Sequence, residues 1–291
     1  MLEARPSWSL HDTVAALRDA RDATNIRHRG RIHEMPSRAE MRAIVDGIVA
    51  VLFPTHLGRT DLSAETVDFF VGSTLHATLT KLFDQVRRAL FFASDADELH
   101  DAALRRRAQH VTEDVCAALP ALRRVLVLDL EAAHEAHAGE GASIAELLVG
   151  STGVRAILHH RIAHLVHVAG VPFLARLVSE LGSAETAAHL HPAATIGPRF
   201  FLDRGVGVVV GATAVIGANV HLQQGVTLGP GVSVAGRAHP RLEDGVVVHA
   251  GATLLGPITI GANSTIGGNV WLTEDVRPGS VVKQAAPTSG D

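Results

Sequence analysis

The chain has 291 residues, with 26 Lys and Arg against 30 Asp and Glu, and a formal net charge of −4 when its 18 histidines are neutral. That balance offers no cationic field for nucleic acid, and the length leaves room for two domains and a sizeable core. A single cysteine, Cys116, excludes an internal disulfide and fits a small hydrophobe buried in a helix. No run approaches the roughly 18 apolar residues of a membrane span, and the opening MLEARPSWSL lacks the basic and apolar regions of a signal peptide, so a cytoplasmic protein is expected.

The first 188 residues read as an all-helical domain. Helical spacing covers 13–23, then RHRGRI at 27–32 breaks it, with Trp8 as an anchor for the segment before. Ser37 with Glu40 makes a capping box that should start a helix running to just before Pro54. A long helix follows over 64–92, and another over 96–118 that Pro120 should end. A further helix is expected from 120 to about 137, then a turn at GEGAS, and two helices over 154–168 and 172–181, with Pro172 in the first position of the second. His160, His164 and His167 share one face of the first of these two; with no carboxylate motif beside them, a structural or surface role outweighs a metal site.

From His191 the pattern changes to a period of six. Ile196, Leu202, Val208, Ala214, Val220, Val226 and Val232 mark the first run, and Val248, Leu254, Ile260, Ile266 and Leu272 the second. Six does not fit a 3.6-residue repeat, but it does fit one side of a triangular parallel β-helix, in which each turn buries its apolar face against the next. Glycine and asparagine punctuate the corners, where positive φ is needed. Three hexads per coil predict about four coils over 189–291, with about ten extra residues in a loop at GVSVAGRAHPRL. Trp271, one place before an inward position, should face outward, and His221 and His249, one place after inward positions, are taken as structural or surface residues.

The stretches HPAATIG, FFLDRGVGVVVGATAVIG, LQQGVTLG, the AHP of the loop and HAGATLLGPITIGANSTIGGNVWL resemble the serine O-acetyltransferases. RHRGRI and VLFPTH are similar to the long-armed bacterial branch of that family. The resemblance implies an α+β chain: an N-terminal all-helical domain followed by a left-handed parallel β-helix of hexapeptide repeats. It also implies acyl transfer from acetyl-CoA to the hydroxyl of serine, in a groove between neighbouring β-helices of a trimer. There a histidine takes the hydroxyl proton and an aspartate orients it.

Against that pattern five positions differ. The family's base is Arg204, its orienting Asp is His189, its Glu in VVGETA is Ala212, its Arg before the loop HP is Ala238, and its acceptor-binding Asp falls at or next to His137. Arginine stays protonated and has no lone pair to offer, so Arg204 cannot be the base. Asp203, His191, His239 and Gln224 match. The expected site therefore takes His189 or His239 as a non-standard base and Asp203 as the orienting carboxylate. Arg204, His191, Gln224 and His137 are expected to bind the acceptor, serine or a serine-like hydroxyl compound.

For the donor, an acetyl-CoA or another acyl thioester, including one on an acyl carrier protein, the expected lining is Gly251, Ala252, Gly267, Gly268 and Lys283, with no metal. The alternative is a catalytically silent paralogue that assembles with, or regulates, an active acetyltransferase. A sugar or antibiotic acyltransferase is a third option, against which the helical arm speaks. Partners are expected to be copies of the chain, as a homotrimer or dimer of trimers, with no nucleic acid and no membrane. The chain ends in Asp291 rather than the isoleucine that many relatives insert into cysteine synthase, so no such complex is expected.

Overall fold

The computed structural model describes residues 10–23, 35–93, 101–139 and 141–284. RHRGRI, Trp8 and Asp291 lie outside them. The chain forms two units, Met1–Met35 and Pro36–Asp291. In the first, α1 (Leu10–Ala23) leaves Leu10, Val14 and Leu17 exposed.

The second unit opens with α2 (Arg38–Leu52), whose N-cap is Ser37: its Oγ accepts the Glu40 N–H at 3.3 Å. The reciprocal half of the expected capping box is not made. The Ser37 N–H donates to Gln85 Oε1 at 2.7 Å, and Glu40 pairs with Lys81 at 3.1 Å, both on the neighbouring α3 (Val67–Ala93). A π-helical turn, Pro54–Gly58, joins α2 to the segment before α3.

Pro120 does not end a helix. One continuous α4 (Asp101–Ala136) runs through it. A proline inside a helix costs a hydrogen bond and a clash worth about 3 kcal/mol, yet here the ring is on the exposed side. Val115, Leu119, Leu122, Leu126 and Leu130 remain buried on either side of it. Cys116 is half-buried, not fully buried as expected. The turn read at GEGAS is followed by a short helix that was not foreseen, α5 (Ile144–Gly150), which carries a complete capping box between Ser143 and Glu146. Then come α6 (Thr152–Val168) and α7 (Pro172–Thr186), with Pro172 at the N-terminal position where its missing N–H costs nothing.

The remainder is a three-sided parallel coil. The first sheet stacks β1 (His189–Leu190), β4 (Val209–Val210), β7 (Thr227–Gly229), β10 (Thr253–Leu255) and β13 (Trp271–Leu272). The second stacks β2 (Thr195–Ile196), β5 (Val215–Ile216), β8 (Arg241–Leu242) and β11 (Thr259–Ile260). The third stacks β3 (Phe201–Leu202), β6 (His221–Leu222), β9 (Val247–Val248), β12 (Thr265–Ile266) and β14 (Val281–Val282). With five strands in two of the sheets, the coil runs to nearly five turns rather than four.

Two buried rows line its interior, which explains why the period of six held over a shift in frame. Ile196 and Leu202 are strand positions, whereas Val208, Ala214, Val220 and Val226 are corner positions two residues before the next strand's inward side chain. The shift arises at 203–208, where the corner is two residues longer than a hexad allows. Val232 belongs to neither row; it is 87% exposed in the loop. Leu228 and Leu242 are fourteen residues apart, so the excursion is eight residues longer than a hexad, not ten. Trp271 faces outward as its position implies.

Helix gives way to strand between Thr186 and His189 within one compact unit. The seam carries a buried ion pair. Arg161 of α6 grips Asp129 of α4 at 3.0 and 3.1 Å and also donates to the carbonyls of Ile196 and Gly197. Asp129 in turn accepts the Phe200 N–H at 2.9 Å. Burial pushes the Asp129 carboxyl above its ordinary value, against the pull of Arg161 and of the Phe200 and Arg199 amides.

The histidine face of α6 also turns to this seam. His164 Nδ1 donates to the Pro192 carbonyl at 2.9 Å, and His160 stacks on His164 with ring centroids 5.8 Å apart. His160 is only 2% exposed, and both its ring nitrogens are buried without a partner. Burial holds its pKa well below the ordinary histidine value, helped by Arg161, His164 and His191 and opposed by the Leu190 backbone. The folded state therefore excludes a proton that the unfolded chain takes up, so His160 lowers stability as pH falls below the ordinary value, by up to about 1.4 kcal/mol per pH unit. His160→Leu is expected to match or exceed wild-type stability at pH 7 and to show a shallower loss below pH 6 in urea titrations. An unchanged slope would contradict this.

Candidate functional site

The three corners of the coil sort the expected residues. Between the third and first sheets, each residue that follows an inward strand position donates its N–H one rung along: Asp203 to Leu222, Gln223 to Val248, His249 to Ile266 and Gly267 to Val282, with Lys283 next in line after Val282. Asp203, Gln223, His249, Gly267 and Lys283 thus form one column. Gly251, close to Asn269, and Gly268, close to the Ala250 carbonyl, belong to the same corner. Ala252 does not line it, because its side chain is fully buried in the coil. Lys283 is exposed.

At the arm end of this corner lies an open cleft of about 500 Å³, lined among others by His137, Glu146, Ser151, Thr152, Asp203 and Arg204. Arg204 sits at φ 59° and its carbonyl accepts the Thr152 hydroxyl at 2.8 Å, tying the corner to the start of α6. Among the described residues no hydrogen bond or ion pair engages the Arg204 guanidinium, which leaves it available to an anion. His137, just past α4, donates Nδ1–H to the Ala133 carbonyl at 2.8 Å and sets its ring edge-on to Phe201 at 5.4 Å.

Two further polar side chains belong to this corner, Gln223 and His221, neither of them among the expected site residues. Of the paired glutamines, Gln224 is exposed and contributes its carbonyl to the Gly251 N–H. The bonded side chain belongs to Gln223. Its Oε1 accepts both the Ala250 N–H and His249 Nδ1 at 3.1 Å. Because the Ala250 N–H can only donate, the accepting atom is the amide oxygen, so His249 carries its proton on Nδ1 and presents a lone pair on Nε2. The other residue is His221, on the outer face of β6 with its ring 4.5 Å from Phe201.

His189, His191 and His239 gather elsewhere. His191 follows the inward Leu190 at the corner between the first and second sheets, and burial holds its pKa below the ordinary value, reinforced by His189, His167, His239 and Arg176. Its Nδ1 accepts the Ala193 N–H at 3.1 Å. His239 lies over Gly211, so close that a Cβ there would meet Nε2 at 2.0 Å. The Thr213 hydroxyl accepts two N–H groups, from Ala238 and His239, and its one hydrogen goes to His239 Nδ1 at 2.8 Å. The neutral His239 ring therefore keeps its proton on Nε2, where it is a donor and not a base. Burial lowers its pKa, favouring that neutral form. Within one chain, then, Asp203, Arg204 and His137 come together, and His239 and His191 stand at a different corner. Among the described residues no group of three or more His, Cys, Asp or Glu is arranged to hold a metal ion, and no helix is long and apolar enough to cross a membrane.

A three-sided coil of hexads with an outward cleft at one corner is the build of a hexapeptide-repeat acyltransferase, and residues 239–274 match the bacterial transferase hexapeptide family (six repeats). The coil is accordingly of the left-handed kind. A plasmid-borne serine acetyltransferase of Synechococcus elongatus is 42% identical, over 97% of this chain and 93% of its own. Among solved structures, serine acetyltransferase isoform 3 of Entamoeba histolytica, in complex with cysteine, superposes with a TM-score of 0.71 at 26% identity, covering 97% of this chain and 95% of that one. The soybean enzyme complexed with serine gives 0.54 at 30% identity, covering 85% and 98%. The chain belongs to the serine acetyltransferase family, whose members use acetyl-CoA as co-substrate.

Proposed function

We propose that this protein moves an acyl group from a CoA thioester, acetyl-CoA in the first instance, to the hydroxyl of serine or a serine-like acceptor held in the cleft at the Asp203 corner. The observation that supports the reading is that Gly251, Gly267, Gly268 and Lys283 share the corner of the coil on which the Asp203 cleft lies, so that one corner could serve acceptor and donor. The glycines keep side chains out of the path of a pantetheine arm, and Lys283 stands at its far end for a phosphate.

Arg204 holds an anionic group, such as the acceptor's carboxylate, and the hydroxyl proton goes to a histidine, because a guanidinium has no lone pair to receive it. His239, with its proton on Nε2, suits donation to the acyl oxygen. A copy of the chain that set its His239 corner beside the Asp203 corner of another would surround one acceptor with both, which supports a homotrimer or a dimer of trimers. Use of a CoA donor favours the cytoplasm. The second reading, a silent paralogue assembling with an active acetyltransferase, rests on the five changed positions, His137, His189, Arg204, Ala212 and Ala238.

Thiol release from acetyl-CoA, followed with serine and related hydroxy acceptors, separates the two. Acceptor-dependent release is expected, reduced in His239→Ala. Release absent for every acceptor, while acetyl-CoA still raises the melting temperature, would leave the silent reading standing.

A further inference from the structure

We infer that His221 is the general base of this chain, with Asp203 as the carboxylate beside it, so that the proton-accepting role has left position 204 for the next rung of the coil. This rests on the acyl-transfer reading above and names the group that reading leaves open.

The register fixes the placement. His221 of β6 pairs with Phe201 of β3, and Asp203 follows Phe201 by two residues on the same outer face. Asp203 and His221 are thus diagonal neighbours on adjacent strands, roughly 7–8 Å apart along the diagonal and within electrostatic reach of one another. The ring of Phe201 lies between His221, at 4.5 Å, and His137, at 5.4 Å, which ties His221 to the wall of the acceptor cleft.

His221 Nε2 is buried with no partner, a state that costs about 1–3 kcal/mol, as at His160, but here the ring stands beside the cleft wall. With Nε2 closed off, Nδ1 is the nitrogen that can meet a hydroxyl. The charged groups around the ring are Asp203, His249 and His137; burial holds the ring neutral before reaction, while Asp203 favours the imidazolium once formed. His189 and His239 lack this arrangement: they are grouped with His191, His167 and Arg176, and His239 already holds its proton on Nε2.

In the step itself Nδ1 takes the acceptor's hydroxyl proton as its oxygen bonds to the thioester carbonyl carbon. The charge that builds on the carbonyl oxygen is met by the Nε2–H of His239 from a neighbouring copy, while Arg204 holds the acceptor's carboxylate. Collapse re-forms the carbonyl and breaks the carbon–sulfur bond, and the imidazolium returns its proton to the departing thiolate, leaving ester and free thiol.

The test is His221→Gln in the full chain, with acetyl-CoA and the best hydroxy acceptor. The expected result is a fall of about 10²-fold or more in kcat/KM, loss of the acid limb of the pH–rate profile, partial recovery with added imidazole, and an unchanged melting temperature and acetyl-CoA shift. A His221→Gln protein that turns over with wild-type rate and pH profile overturns the assignment of the base and leaves the proposed function intact. Absence of turnover in the wild type with every acceptor overturns both.

Discussion

Arg161→Ala is expected to destabilise the protein by about 3–5 kcal/mol, the cost of leaving a buried carboxylate without its partner. Arg161 does two jobs at the helix-to-coil seam: it neutralises Asp129 through two nitrogens, and it satisfies the Ile196 and Gly197 carbonyls at the end of β2. Asp129 in turn holds the Phe200 N–H. Truncation strands the charge and two carbonyls at once, and Asp129 must then either take up a proton or draw in water. Because burial already raises the Asp129 pKa, the stability lost should shrink as pH falls through that raised value, where the carboxyl is protonated in the folded state. Urea titration at pH 7 and pH 5 checks both points. A loss under 1 kcal/mol at pH 7, or one that grows on acidification relative to wild type, would show that the pair is not the brace described. The double variant Asp129→Leu with Arg161→Met should be far milder than either truncation alone, because it removes the buried charges together.

Gly153→Ala is expected to cost about 1–3 kcal/mol and to abolish acceptor-dependent turnover while sparing acetyl-CoA binding. A Cβ at Gly153 would stand 1.9 Å from the Leu202 carbonyl oxygen and 3.0 Å from its carbon. Neither is the end of a flexible side chain. β3 is held in place by its pairing with β6, so the start of α6 has to retreat. That retreat breaks the Thr152 to Arg204 hydrogen bond and moves Ser151 and Thr152, which line the acceptor cleft. The donor track beyond Gly251 is on later coils and is untouched. Melting temperature, thiol release and the shift produced by acetyl-CoA, measured on one preparation, test the division. A variant with wild-type turnover would mean that the contact between α6 and β3 does not shape the cleft.

Much of this architecture is written in short-range pattern. Aliphatic residues at every sixth place are enough for a three-sided coil, because each hexad carries its own inward residue and its own corner regardless of what precedes it. Pro172 and the Ser37 cap act through the nearest turn of backbone, and the helices start where those residues say. Pro120 was misread because the rule it follows is also local: the side on which its ring falls, and the packing of α4 along its other face, are decided by partners far away in the chain. The same holds for Glu40, drawn off to Lys81 of α3.

The site was legible only in part for a related reason. Asp203 and Arg204 stood out by resemblance, and Arg204's lack of a lone pair is a property of the residue wherever it is placed. Which side chains share a corner, by contrast, depends on the length of every corner before them. Two extra residues at 203–208 and eight in the loop set which rungs face one another. They bring Gln223 rather than Gln224 to His249, set His221 diagonal to Asp203, and carry His239 to another corner. From its sequence alone the chain determines that it coils in hexads and that residue 204 cannot take a proton, because periodicity and side-chain chemistry are local. Only the tertiary structure decides which histidine stands beside the retained carboxylate, because that neighbour is reached across coils and not along the chain.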